Sequence, residues 1–157
     1  MPRRYWLLKT EPGSYSFADL LRAKGRTAGW DGVRNFQARN FLRDQMQEGD
    51  GVLIYHSRVE PMAVVGEAEI VRAGYPDPTQ FEPADHHFDA KARRDAPTWF
   101  QVDVRAVKAF AHPVTLEQIK KTKALAAMAL VQRGSRLSVQ PVAPAEFRLV
   151  VKLGESG

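Results

Sequence analysis

Apolar and polar side chains alternate along residues 100–106, with Phe100, Val102, Val104 and Ala106 on one side and Gln101, Asp103 and Arg105 on the other. A period of two predicts a strand with one buried and one wet face, paired antiparallel. Enrichment in branched and aromatic residues, bounded by Gly, Pro or Asp, predicts strands over Arg4–Lys9, Val52–His56, Ala63–Val71, Trp99–Val107 and Phe147–Leu153. Five strands in 157 residues point to a small barrel. Helices fit Phe17–Lys24, Phe36–Met46 and a stretch from Leu116 toward Leu130, where Thr115 and Gln118 form a capping box and Lys120–Lys123 is a point of interruption. In the second helix Ala38, Phe41, Leu42 and Met46 make an apolar arc that packs on a sheet, while Arg39 and Arg43 lie one turn apart on its flank. The Pro- and Asp-rich connection from Tyr75 to Pro97 reads as a long surface loop, of a length usually functional or mobile inside a compact domain. There is no internal repeat and no low-complexity tract.

Composition narrows the function classes. The length suits one domain, residues 1–157, with a single core, and 44% hydrophobic with 26% charged residues is the balance of a soluble globular protein. No apolar run approaches a membrane span, and the apolar part of the amino terminus is too short for a signal peptide, so the expected address is intracellular: cytoplasmic, or nuclear in a eukaryote. The absence of cysteine removes disulfides, thiolate zinc sites and cysteine nucleophiles. Net charge is +5, unevenly spread: residues 61–90 hold one basic side chain, Arg72, against six acidic ones, and the segments on either side carry +3 and +7. One face turned toward phosphates produces such asymmetry, as does an ordinary basic surface.

Candidate chemistry gathers in Trp30–Arg43 and the strand that ends at Ser57. A turn fits Asp31-Gly32, and Asn35 can cap a helix starting at Phe36, which leaves Trp30, Val33 and Arg34 on an ordered loop. A stacking ring, a cation and amide groups together suit a planar, negatively charged ligand. Arg34, just before a helix amino terminus, is the better phosphate candidate; Arg39 and Arg43 read equally as snorkelling cover for core edges. Trp6 and Trp99 are candidates for a second wall, each with core packing as the competing reading. His56 and Ser57, adjacent on a strand, point to opposite faces and cannot form a nucleophile–base pair. His56 can instead line a cavity or satisfy a core hydrogen bond. In 135–140, an extended segment sets Arg136, Ser138 and Gln140 on one side and Leu137 and Val139 on the other, a polar rim over an apolar floor. Lys9 and Glu11 read either as a phosphate contact with its orienting carboxylate or as a surface ion pair. Asp85-His86-His87-Phe88-Asp89 carries metal-ligand types, but adjacent histidines rarely share one ion, so no metal is expected, and no motif implies another cofactor.

Five segments, in order, carry a resemblance: Tyr5-Trp-Leu-Leu-Lys-Thr-Glu-Pro12, Trp30-Asp-Gly-Val-Arg-Asn-Phe-Gln-Ala-Arg-Asn40, Tyr55-His-Ser57, Tyr75-Pro-Asp77 and Gly134-Ser-Arg-Leu-Ser-Val-Gln-Pro141. Over nearly its whole length the chain resembles the EVE domain family of the PUA-like superfamily, related to the YTH readers of methylated adenine. The resemblance implies an α+β fold, a PUA-like small mixed β-barrel of about five to six strands with flanking helices. It implies a non-catalytic reader of modified bases, most directly modified cytosine in DNA, with modified RNA as the other ligand, flipping the base into an aromatic and polar pocket. The expected base pocket is Trp30, Val33, Asn35, His56, Ser57, Trp6, Ser138 and Gln140, with Lys9, Arg34, Arg39 and Arg136 on the strand backbone. Effector proteins would be separate chains. Two other classes stay open: an ASCH-like hydrolase of modified nucleosides built on Lys9, Thr10 and Glu11, and an adaptor whose basic surface meets protein.

Overall fold

The structure, a computed structural model, describes residues 2–134 and 136–156. One six-stranded mixed sheet organises the chain, in the order β2 (Thr27–Gly29), β5 (Phe100–Thr115), β4 (Ala63–Pro76), β3 (Gly51–His56), β1 (Tyr5–Thr10), β6 (Val139–Val142). β1 and β3 run parallel, Leu7 opposite Leu53, and every other pairing is antiparallel. A parallel pair needs a crossover. Here residues 11–50 supply it through α1 (Phe17–Arg22), β2 and α2 (Phe36–Asn40), which runs on into one wider π turn, Phe41–Gln45. α3 (Leu116–Lys121) and α4 (Pro144–Ser156) complete the helices. The fold is α+β and PUA-like, as expected.

Both faces of the sheet are covered, and this explains the unbroken apolar run Val52–Tyr55. Trp6, Leu8, Val52 and Ile54 pack with Phe17, Leu20, Ala38, Leu42 and Met46 on one face, together with Val102, Val104 and Ala106 of the alternating strand. Leu7, Leu53 and Tyr55 pack with Ile119, Leu125, Phe147 and Val150 on the other. Strands β4 and β5 are longer than their patterns predict, and their ladder shifts register at four places. Such bulges bend and twist a long pair.

Several boundaries differ from the sequence reading. The segment 147–153, expected as a strand, lies within α4: Phe147, Val150 and Gly154, spaced by three and four, are its buried face, and Pro144 opens it where a missing N–H costs nothing. Gly154 abuts the ring of Phe110, where a β-carbon would collide. The helix from Leu116 stops at Lys121 and is followed by 3-10 turns, so the interruption falls where expected. Thr115 accepts from the Gln118 N–H, as a cap should. Strand β2 has no counterpart among the predicted elements, and β6 overlaps only the end of the segment read as extended over 135–140. No helix among the described residues is long and apolar enough to cross a membrane.

Candidate functional site

Trp30 follows β2, its N–H donating to Val102 across the sheet edge (2.8 Å), and its ring forms one wall of a cleft of about 620 Å³. Tyr15 meets that ring edge-on, with centroids 6.2 Å apart at 84°. Val33, Lys9, Thr10 and Ser138 continue the lining, Gly29, Ala28 and Gly32 add backbone, and Asp31, Arg34, Glu11, Ser14, His86 and His87 complete it. The volume falls within the range of small-ligand sites.

The three tryptophans have different roles. The Trp6 indole is fully buried and donates to Asp50 (2.9 Å), which also accepts from the backbone N–H groups of Arg4 and Gln47. The Trp99 indole is buried, donates to Asp89 (2.8 Å) and stacks on Phe36 at 4.9 Å. Neither lines the cleft, so the expectation of a second tryptophan wall is corrected: a buried indole must place its N–H, and both are placed in the scaffold. Tyr15 is the second ring instead. The Trp30 indole N–H, by contrast, has no hydrogen-bond partner among the described residues.

Behind Trp30 the loop is fastened by ionic and backbone contacts. Arg34 directs Nε and Nη2 to the carbonyl of His87 (3.0 and 2.8 Å), Nη1 to the Val33 carbonyl and to Asp77 (3.0 Å each), and Nη2 also to Thr79 (2.9 Å). Asp77, fully buried, accepts from Gly32 N–H, Arg34 and Thr79. Burial pushes its carboxyl up, and the donors from Thr79, Gly32 and Arg34 together outweigh that and hold it below the ordinary carboxylate range. Arg34 borders the cleft as expected, but its donors are committed within the protein, so it holds the loop rather than offering free N–H groups to a phosphate. The 77–99 connection is likewise tied in by Gln80, whose amide donates to the Asp77 and Trp99 carbonyls and accepts from the N–H groups of Thr98 and Trp99. It carries His86 and His87 to the cleft. His87 packs so closely on Gly32, at φ +79°, that a side chain there would be both strained and in collision.

The remaining expected residues divide similarly. Lys9 and Ser138 lie together, the Lys9 N–H donating to the Ser138 carbonyl (2.9 Å). The Lys9 ammonium is half-buried, 6.0 Å from the Tyr55 ring centroid, and burial lowers its pKa; among the described residues it has no carboxylate partner. Asn35 caps α2 by accepting from the Ala38 N–H (3.0 Å). His56 Nε2 accepts from the Phe17 N–H (3.1 Å), and burial lowers its pKa, so it is a neutral acceptor at the start of α1. Ser57 Oγ reaches the Thr10 carbonyl at 3.5 Å, and Gln140 is buried with its amide on the Leu137 carbonyl (3.0 Å). Arg39 donates to the Thr98 carbonyl and to Asn40, and Arg136 is exposed. None of these six residues lines the cleft, because local backbone or core partners claim all but Arg136. Ser135 lies outside the described residues.

The three residues of the hydrolase alternative, Lys9, Thr10 and Glu11, all line the cleft, but no hydrogen bond or ion pair links their side chains. Thr10 Oγ1 donates to the Tyr15 carbonyl (2.6 Å), and Glu11 pairs with Arg58 (3.2 Å) rather than with Lys9. Asp85, His86 and His87 bring one potential ligand atom each within 4.8 Å of one another. Three neighbouring donors are fewer than the four of a closed zinc site. Tyr15 and the two histidines were missed because distant segments deliver them, and Asp31, next to Trp30, was read only as part of a turn.

Residues 4–153 match the EVE domain family. The chain belongs to this family. Thymocyte nuclear protein 1 of mouse is 41% identical over 169 residues, covering 97% of this chain and 74% of the relative. A crystal structure of a Pseudomonas putida protein aligns with TM-score 0.90 and 46% identity, covering 96% of this EVE domain and 99% of that chain. Human THYN1, in complex with 5-methylcytosine-containing DNA, aligns with TM-score 0.90 and 37% identity over 98% and 99% of the two chains.

Proposed function

We propose that this EVE domain is a non-catalytic reader of modified bases in nucleic acid, with 5-modified cytosine in DNA as its first ligand class, and that the base leaves its stack to enter the Trp30 cleft. The observation that carries this reading is Trp30 itself: of three tryptophans, it is the one that walls a cleft with its N–H uncommitted among the described residues. Human THYN1 bound to 5-methylcytosine DNA supports the ligand class. Extruding a base costs a few kcal/mol, and stacking on an aromatic returns roughly 1–3 kcal/mol, so the cleft must add polar contacts. Lys9 supplies one: an ammonium that has no counter-ion among the described residues and is already partly desolvated favours a phosphate. Ser138, Tyr15 and Val33 shape the remaining wall. Modified RNA is the second ligand, since a flipped base presents the same ring in either polymer.

Fluorescence anisotropy with single-stranded and duplex DNA and RNA, unmodified or carrying methylated or hydroxymethylated cytosine or methylated adenine, at two salt concentrations, tests this reading. A preference for one modified base that persists at the higher salt is expected. Equal binding to every probe, erased by salt, would leave only a basic surface and favour the adaptor.

A further inference from the structure

Asp31 sits in the cleft beside Trp30, and no described residue bonds its carboxyl. Its backbone N–H donates to Gly29 (3.1 Å), but its side chain makes no hydrogen bond or ion pair with any described residue. Asp50, Asp77 and Asp89 all end in donors: the indole of Trp6, the guanidinium of Arg34 and the indole of Trp99. The setting of Asp31 is also acidic. Desolvation is the main reason its carboxyl titrates above the ordinary range; Asp77 and Asp85 add to this, and His87 and Arg34 oppose it. Asp31 is exposed at the cleft, so its carboxylate is an acceptor that solvent holds in the free protein and that a ligand N–H can take over.

Cytosine and thymine can carry the same 5-methyl group and differ where one has an N4 amino donor and the other an O4 acceptor. A carboxylate accepts from N4–H and repels O4. We infer that Asp31 is a specificity-determining residue that accepts the N4 amino group of a cytosine in the cleft and thereby rejects thymine and uracil bearing the same 5-substituent. This rests on the base-reading proposal above. Trp30 and Tyr15 supply ring contact that any pyrimidine shares, so discrimination at position 4 needs a polar group beside the rings, and Asp31 directly follows Trp30 in the chain. A contact of this kind is worth roughly 5- to 150-fold between right and wrong bases.

Competition anisotropy on the whole protein tests this with three single-stranded DNA oligonucleotides identical except for a central cytosine, 5-methylcytosine or thymine. The wild-type protein is expected to prefer 5-methylcytosine to both, and to thymine by about tenfold or more. In Asp31→Asn, whose amide can donate to O4, the 5-methylcytosine-to-thymine ratio should fall to within about threefold, while the 5-methylcytosine-to-cytosine ratio, which reads the methyl group, is retained. Asp31→Ala should lose the same ratio without gaining thymine binding. A variant that keeps the wild-type ratio to thymine, or loses affinity equally for all three, overturns the role of Asp31. A wild-type protein with no preference for 5-methylcytosine over cytosine instead overturns the base-reading proposal, and this inference with it.

Discussion

Asp31 and Arg34 lie three residues apart on one loop and face opposite situations. On the cleft side, the Asp31 carboxyl and the Lys9 ammonium are partly desolvated and have no ionic partner among the described residues. Arg34 also borders the cleft, but it and the buried Asp77 bond each other and are further satisfied by His87, Val33, Thr79 and Gly32. Where a polar group's hydrogen bonds are spent inside the protein the fold accounts for it, and where a charged group stands open at the cleft without a protein partner it is left for a ligand. By that rule the charged residues nearest in sequence are no guide to one another's roles.

The sharpest way to break this contrast is to remove Asp77. Asp77→Ala leaves the Arg34 guanidinium without its counter-ion and Gly32 without its acceptor, and should cost about 3–5 kcal/mol in denaturant unfolding, whereas Asp31→Asn should stay within about 0.5 kcal/mol. Equal effects at the two positions would erase the distinction. Trp30 comes next. Trp30→Ala should lose discrimination worth about 1–3 kcal/mol in anisotropy titrations with modified and unmodified DNA, keeping weak, salt-sensitive binding. Because Trp30 is also buried, the same change should cost about 3–5 kcal/mol of stability, so Trp30→Phe, which keeps a ring, is its necessary companion. A smaller effect is expected at Lys9: Lys9→Met should lower the slope of log affinity against log salt by about 1 while leaving base preference in place.

The smallest effect concerns His56, a residue of the scaffold. Burial lowers its folded pKa below the unfolded value, so the unfolded state binds the proton more readily. Stability should therefore be unaffected by this group above the ordinary histidine pKa and fall as pH drops through it, levelling only below the folded value. His56→Gln, which keeps an acceptor for the Phe17 N–H, should flatten that part of the stability–pH curve. An unchanged curve would remove His56 from the account.

Sequence patterns reached much of the fold because its strongest signals are local. The alternation at 100–106 and the run at 52–55 report one-sided and two-sided burial directly. The segment 147–153 misled because branched and aromatic residues suit a strand, whereas Phe147, Val150 and Gly154 meet the second core only from a helix, and tertiary packing overrode propensity. At the site, Trp30, Val33, Lys9 and Ser138 were accessible from residue type and motif. Arg34 was named too and lines the cleft, but its partners Asp77 and His87, 43 and 53 residues away, were beyond any local pattern. Asn35 and His56 carry side chains that suit a base edge as well as a backbone N–H, and only the position of Ala38 and Phe17 decides between them.

The central claim can be tested most directly by following the three indole N–H resonances in a proton–nitrogen correlation spectrum while 5-methylcytosine DNA is added. The Trp30 signal should shift or broaden strongly, more with 5-methylcytosine than with cytosine DNA, while those of Trp6 and Trp99, held by Asp50 and Asp89, stay in place. Binding that leaves the Trp30 indole unmoved would contradict the claim that the base enters this cleft.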